Sequence, residues 1–290
     1  VSTLTGKKKL FIDCSGGSDQ MIALWYALQS PAAEIVGIGC SSTETEWGRS
    51  IISACMKLAK PGVEIPVAMG DGASLFSTPK VEDQGAARLL VEKAQEWKGE
   101  LTVITLGSLT NLAKAAAIDP RLPEKVKQVV VQGGAIRVPG NVTAVAEKNM
   151  YADPKAAAFV WAAGFPLLLV PLDATERLRL TEEEGQAILA AALQKGMLPA
   201  SEEAGELALR ASTRLHAWGA MVAAIHPELI HKQQMKLSIE CHSTLSRGAV
   251  LADLRKKPSV GVDTEVAAAV EADSLREWLR GLCRAEGGSW

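Results

Sequence analysis

The sequence lacks an excess of charge of either sign. Its 31 lysines and arginines nearly balance 33 aspartates and glutamates, giving a formal net charge of −2. With a pI near 6.2, nothing favours a nucleic-acid backbone or an anionic membrane surface as partner. A small molecule or another protein is the default partner. Paired cysteines are also lacking. The five (Cys14, Cys40, Cys55, Cys241 and Cys283) are scattered and never spaced CxxC, which fits a reducing, cytoplasmic compartment better than a disulfide framework. No secretory signal is expected, because Lys7-Lys8-Lys9 leads only into a short strand-like segment. No uninterrupted apolar run is long enough to span a membrane. The longest uncharged stretch, "AAAFVWAAGFPLLLVPL" (156–172), is split by Gly164 and Pro166 and reads as helix end, turn and buried strand. Dinucleotide fingerprints, a phosphate loop with its lysine and a Gly-x-Ser-x-Gly elbow are all missing.

What the sequence does contain is alternation. Short apolar runs, "LFID" (10–13), "EIVGIG" (34–39), "LTVITL" (101–106), "VKQVVVQGG" (126–134) and "PLLLVPLD" (166–173), read as buried strands. Between them stand "DQMIALWYALQS", "RSIISACMKLAK", "QGAARLLVEKAQEW", "LTNLAKAAAI" and "DPKAAAFVWAA", which read as helices. This predicts an α/β fold with a mostly parallel central sheet and helices on both faces. From about 181 to 235 the pattern is helical, with "GELALRASTRLHAWGAMVAAI" as one helix. A β-like piece at 236–253 and a last helix, "DSLREWLRGLC", follow. With no repeat or linker, residues 1–290 are expected to form one domain. Ligands of such sheets lie beyond the carboxyl ends of the strands, and polar clusters follow each strand there.

The stretch "GGAIRVPGNVTAVAEKNMYADP" (133–154) brings Asn141, Glu147 and Asn149 close together after a buried strand. It is either a solvated loop or a site for a polyhydroxylated ligand, since buried polar groups require partners. "TLGSLTNLAKAA" (105–116) is a strand-to-helix turn with Ser108 or Thr110 as N-cap. His216 lies in an otherwise apolar helix, and Cys241-His242 is too sparse for a metal site.

In order along the chain, these pieces resemble the inosine–uridine-preferring nucleoside hydrolase family. "IDCSGGSDQMIAL" is similar to its opening Asp-Thr-Asp-Pro-Gly-x-Asp-Asp-x-x-Ala-Leu motif, and "TLGSLTNLAKA" to its Ala-Leu-Gly-Pro-Leu-Thr-Asn-Leu-Ala segment. "VVVQGGA…GNVTAVAEKNMYADPKAA" is similar to its Met-Gly-Gly … Gly-Asn … Ala-Glu-x-Asn-x-x-x-Asp-Pro-Glu-Ala-Ala block, and "PLDATERLRLT" and "STLSRGAVLAD" match two later segments. The resemblance runs from about residue 9 to 282. It implies a calcium-dependent hydrolase that cleaves the N-glycosidic bond of ribonucleosides with a metal-bound hydroxide, and a homo-oligomer. It also implies that Asp19, Asn141, Glu147 and Asn149 grip ribose hydroxyls, that His216 lies near the leaving base, and that Val131 stands where a backbone carbonyl reaches the metal.

Three positions depart from the motif. Ser15 replaces the aspartate that is both calcium ligand and general base, Gln20 replaces a second ligand aspartate, and Ala217 a third. Calcium requires six to eight oxygens, and carboxylates set its affinity, so no cofactor is expected. Losing base and metal-activated water together removes most of the family's catalytic means. One expectation is therefore a non-hydrolytic protein that binds a ribosyl ligand or nucleoside, or partners an active paralogue. The alternative is a metal-independent N-glycosidase in which Asp19 positions water, Glu147 is the second carboxylate and His216 the acid. A third idea makes Ser15 or Cys14 a nucleophile, without an evident base.

Overall fold

A computed structural model describes residues 6–41, 64–70, 84–194 and 214–271, with 273, 276–278 and 281. The expected helix "RSIISACMKLAK", the flank at 42–50, and most of the C-terminal helix lie outside the described residues. Among the described residues nine strands form one sheet: β1 (Lys8–Cys14), β2 (Ala33–Ser41), β3 (Val67–Gly70), β4 (Leu101–Thr105), β5 (Gln128–Gln132), β6 (Leu167–Val170), β7 (Ile230–Ile239), β8 (Val250–Ala252) and β9 (Val262–Val270). Their order is β3-β2-β1-β4-β5-β6-β9-β7-β8. All pairs from β3 to β9 are parallel, while β7 runs antiparallel to both β9 and β8.

The helices are α1 (Ser18–Gln29), α2 (Gly85–Glu96), α3 (Thr110–Ile118), α4 (Leu122–Lys125), α5 (Lys148–Ala152), α6 (Pro154–Ala162), α7 (Leu172–Thr175), α8 (Glu182–Gln194) and α9 (His216–Ile225). Side chains alternate across a strand, so each buried run feeds two cores. Leu10, Ile12, Ile104, Val130 and Leu168 pack on one face with α1 and α9. Phe11, Val103, Val129, Val131 and Leu169 pack on the other with α2, α3 and α6. Covering both faces is why these strands read as continuous apolar runs rather than as alternation.

The uncharged stretch at 156–172 divides as its Gly and Pro predict, into α6, a turn and β6. Among the described residues no helix is long and apolar enough to cross a membrane. Three details differ from expectation. β7 begins at Ile230, inside the segment expected to be helical, and "VDTEVAAAV" forms the strand β9, which its three alanines hide from a reading of the sequence. Of the helix expected across "GELALRASTRLHAWGAMVAAI", residues 205–213 lie outside the described residues; α9 begins at His216, since Arg214 bridges to Arg179 and Leu215 has a non-helical φ/ψ.

Candidate functional site

The opening loop joins β1 to α1 at the carboxyl edge of the sheet, and Gln20 holds it closed. The Gln20 Oε1 accepts from the backbone N–H of Ser15 (2.8 Å) and Gly16 (3.1 Å). Its Nε2 donates to Ser15 Oγ (3.0 Å) and to the Leu106 carbonyl (2.8 Å). An amide has two acceptor sites and two hydrogens, and all four are used. Gly16 has φ +84°. The motif resemblance sets Gly16 against a proline, whose ring cannot reach that conformation. The loop therefore follows its own path.

The Leu106 carbonyl also accepts from Asn149 Nδ2 (3.2 Å), which reaches Gln132 O (3.1 Å) and Gln132 Oε1 (2.7 Å) as well. Both Asn149 amide hydrogens are thus spent on the protein. Glu147 is the N-cap of α5. Its Oε2 accepts from the N–H of Asn149 (2.9 Å), Met150 (3.2 Å) and Gly134 (3.1 Å), and the Gln132 side chain hydrogen-bonds it too. Gly134 takes φ +81° to present its N–H, and a Cβ there would meet Val250 Cγ2. Burial still pushes the Glu147 carboxyl above its usual range. One continuous polar chain thus runs Ser15–Gln20–Leu106–Asn149–Gln132–Glu147.

Asp19 accepts the Ala217 N–H at the start of α9 (3.1 Å). Its carboxyl is pushed up by burial, opposed by this bond, other backbone N–H groups and the Lys148 charge. At Ala217 the side chain is only a methyl, and its amide is already engaged with Asp19. His216 Nδ1 lies 2.8 Å from Thr175 Oγ1, and burial holds its ring below the ordinary histidine range. Asn141 is exposed, with its Oδ1 accepting the Lys148 N–H (2.8 Å). Val131 sits one residue before the end of β5, beside Thr105 and Leu169. The structure thus joins Ser15, Gln20, Glu147 and Asn149 into one network, ties Asp19 to the residue after His216, and leaves Asn141 at the rim.

Neither Ser108 nor Thr110 caps α3. Leu109 is the N-cap residue, and Thr110 Oγ1 instead donates to Asp153 Oδ2 (2.9 Å), tethering α3 to the N-cap of α6. Cys241 Sγ donates to the Pro154 carbonyl (3.3 Å), and Glu240 closes the turn by accepting from His242 N–H and Ser243 N–H. Gln132 was overlooked in the sequence. The available signal was a polar residue ending "VVVQ" at the carboxyl end of a buried strand, where an amide must have been matched.

Asp13, the other acid of the opening motif, is sealed between β2 and β4, and its side chain accepts from Asn111 Nδ2 (2.8 Å). Burial raises its pKa to about 7. A carboxyl raised above its unfolded value lends stability that is complete below about pH 4 and is lost as pH rises through 7, with a slope up to about 1.4 kcal/mol per pH unit. We expect Asp13→Asn to remove this loss. Urea denaturation should show the variant gaining on the wild type between pH 5 and pH 8. Parallel profiles would refute the assignment.

Calcium is poorly matched by what stands here. A cation would need Ser15 Oγ and nearby carbonyls, yet Ser15 Oγ and Leu106 O already face N–H donors. Among the described residues no three His, Cys, Asp or Glu side chains are grouped to hold a metal ion. The residues present do not fit the family's ion.

Comparison with known proteins agrees with the architecture. At 33% identity, the chain aligns with a probable uridine nucleosidase 1 of Oryza sativa over 61% of its own length and 62% of that protein's. It therefore spans under two thirds of the first curated relatives it matches. The pyrimidine-specific ribonucleoside hydrolase RihB of Escherichia coli is 24% identical over 95% of this chain and 96% of its own. A solved plant nucleoside hydrolase, the PpNRh1 enzyme, superposes with a TM-score of 0.78 at 25% identity, covering 96% of this chain and 99% of that one. The structure of a Bacillus anthracis inosine-uridine preferring nucleoside hydrolase gives a TM-score of 0.79 at 21% identity, over 96% and 99% of the two chains, a likeness of fold. The family model described as inosine-uridine preferring nucleoside hydrolase matches residues 10–277, and with the nine-stranded sheet and the ordered motifs it establishes that this chain belongs to that family.

Proposed function

We propose that this family member binds a ribosyl ligand without calcium and does not turn over ordinary nucleosides. The observation that carries the reading is the Gln20 amide, whose four hydrogen-bonding positions are all consumed within the loop and at Leu106. A metal would have to displace a satisfied internal network and would find no carboxylate at Ser15, Gln20 or Ala217. The ribose grip is supported by buried Glu147 and Asn149 and by half-buried Asp19, which supply acceptor oxygens, the complement of sugar hydroxyls.

The test is calorimetry with ribose, uridine and inosine, with and without a chelator, alongside elemental analysis of the purified chain. Binding that ignores the chelator, with no base released, is the expected result. Binding abolished by chelation would refute it. A second reading, a metal-independent N-glycosidase acting on a ribosyl substrate with a good leaving group, draws support from Asp19. Its burial raises its proton affinity toward that useful for acid–base work, and the relatives are named for nucleoside hydrolysis. Chelator-resistant turnover that disappears in Asp19→Asn would select this reading over binding alone.

A further inference from the structure

Thr175 ends the short helix α7 and is wholly buried. Its hydroxyl lies 3.1 Å from the Pro171 carbonyl and 2.8 Å from His216 Nδ1. Its rotamer is held from behind. The Thr175 methyl packs over Gly219, where a Cβ would come within 2.8 Å of it. A hydroxyl has one hydrogen, and in a helical turn it habitually goes to the carbonyl four residues back. With that hydrogen on Pro171 O, Thr175 turns lone pairs toward the imidazole, and Nδ1 must supply the other hydrogen.

The surroundings keep the ring neutral. Burial disfavours its charged form, and Glu176, the carboxylate whose charge favours that form, is shared between Arg179 and Arg214 at 3.2 Å each. A neutral imidazole protonated at Nδ1 carries a lone pair at Nε2. Among the described residues Nε2 has no hydrogen-bond partner, and it is not among the atoms sealed from solvent. The ring is one residue from the amide that holds Asp19, so Nε2 belongs to the same end of the site.

We infer that Thr175 is a positioning residue that fixes His216 as the Nδ1–H tautomer, so that the site selects ribosyl ligands bringing an O–H or N–H donor to Nε2. This rests on the ribosyl-binding reading. It gives His216 the opposite part from the acid of the glycosidase alternative, for a bare Nε2 receives a hydrogen rather than delivering one.

The experiment has two arms. Long-range ¹H–¹⁵N correlation on the ¹⁵N-histidine-labelled chain reports the tautomer directly. The expected result is a protonated Nδ1 and bare Nε2 for His216, unchanged in Thr175→Ser and lost in the near-isosteric Thr175→Val. A protonated Nε2 in the wild type overturns the inference. Calorimetry then compares ligands matched in shape: pseudouridine with uridine, 9-deazainosine with inosine, and uridine with 5′-deoxyuridine. The first of each pair carries one more donor. One hydrogen bond corresponds to about two- to tenfold in affinity, and we expect that preference in at least one pair, abolished in His216→Phe. Equal affinities in every pair, with the Nδ1–H tautomer intact, overturn the ligand selection. Binding by none of the five ligands, with the same tautomer, overturns instead the ribosyl reading on which the selection depends.

Discussion

Replacing Ser15, Gln20 and Ala217 together by aspartate should give a chain whose melting temperature depends on calcium. Without the ion the variant should be markedly less stable than the wild type. It loses all four bonds of the Gln20 amide and gathers three new carboxylates around Asp19, whose carboxyl is already pushed above its usual range. Like charges in a poorly solvated cluster repel, and each raises the proton affinity of the others. Calcium would convert that repulsion into ligation. At a hundredfold excess over its dissociation constant it adds about 2.7 kcal/mol. Nucleoside hydrolysis, absent from the wild type under the binding reading, should appear only with the ion. Adding Gly16→Pro to the triple variant should strengthen calcium binding, whereas in the wild type the same change should destabilise, since Gly16 stands at φ +84°. Differential scanning fluorimetry over a calcium series decides the matter. A triple variant whose melting is indifferent to calcium would show that the backbone around the loop no longer permits a metal geometry.

Glu147→Ala should bring the second large effect, this time on folding. It removes the N-cap of α5 and strands the buried N–H groups of Gly134, Asn149 and Met150 together with the Gln132 amide. Cap loss costs about 0.5–2 kcal/mol, and each unsatisfied buried donor about 1–3 kcal/mol before relaxation and water entry reduce the sum. We expect a net loss of about 3–5 kcal/mol, or a melting temperature lower by on the order of 10 °C. Glu147→Gln keeps a carbonyl oxygen for the cap and should lose far less stability while still weakening ribosyl affinity. A stability loss below about 1 kcal/mol for the alanine variant would mean that Glu147 is not the keystone of this block.

Much of this was legible in the residues. The alternation of apolar runs and alanine-rich periodic segments predicts the parallel sheet, because strands covered on both faces must be apolar throughout. The candidate site was legible as a set of types: acids and amides at strand ends, where an α/β sheet keeps its ligands. What could not be read was which polar group satisfies which. Gln20 looks in sequence like a lost ligand, whereas in the fold it is an occupied one, bonded at every position. Gln132 carried no motif at all. Its worth comes from meeting Asn149 and Glu147 across a turn, a distance no spacing rule encodes. β9 was missed for a similar reason. Ala267–Ala269 carry little strand propensity, and pairing with β6 on one side and β7 on the other decides the segment's conformation.

The double hydrogen bond at the Leu106 carbonyl has a bearing on ancestry. Suppose this lineage once held an ion and tried to return by single substitutions. Changing Gln20 alone to aspartate would take away the N–H donor that Leu106 O and Ser15 Oγ share and turn carboxylate oxygens toward the Leu106 carbonyl, acceptor facing acceptor, with no cation between them. Changing Ser15 alone would crowd the same amide, and Ala217 alone would place a second carboxylate beside Asp19. Each first step should lower stability before any ion can bind. A single amide, once it had taken four bonds, would act as a ratchet that closes the way back.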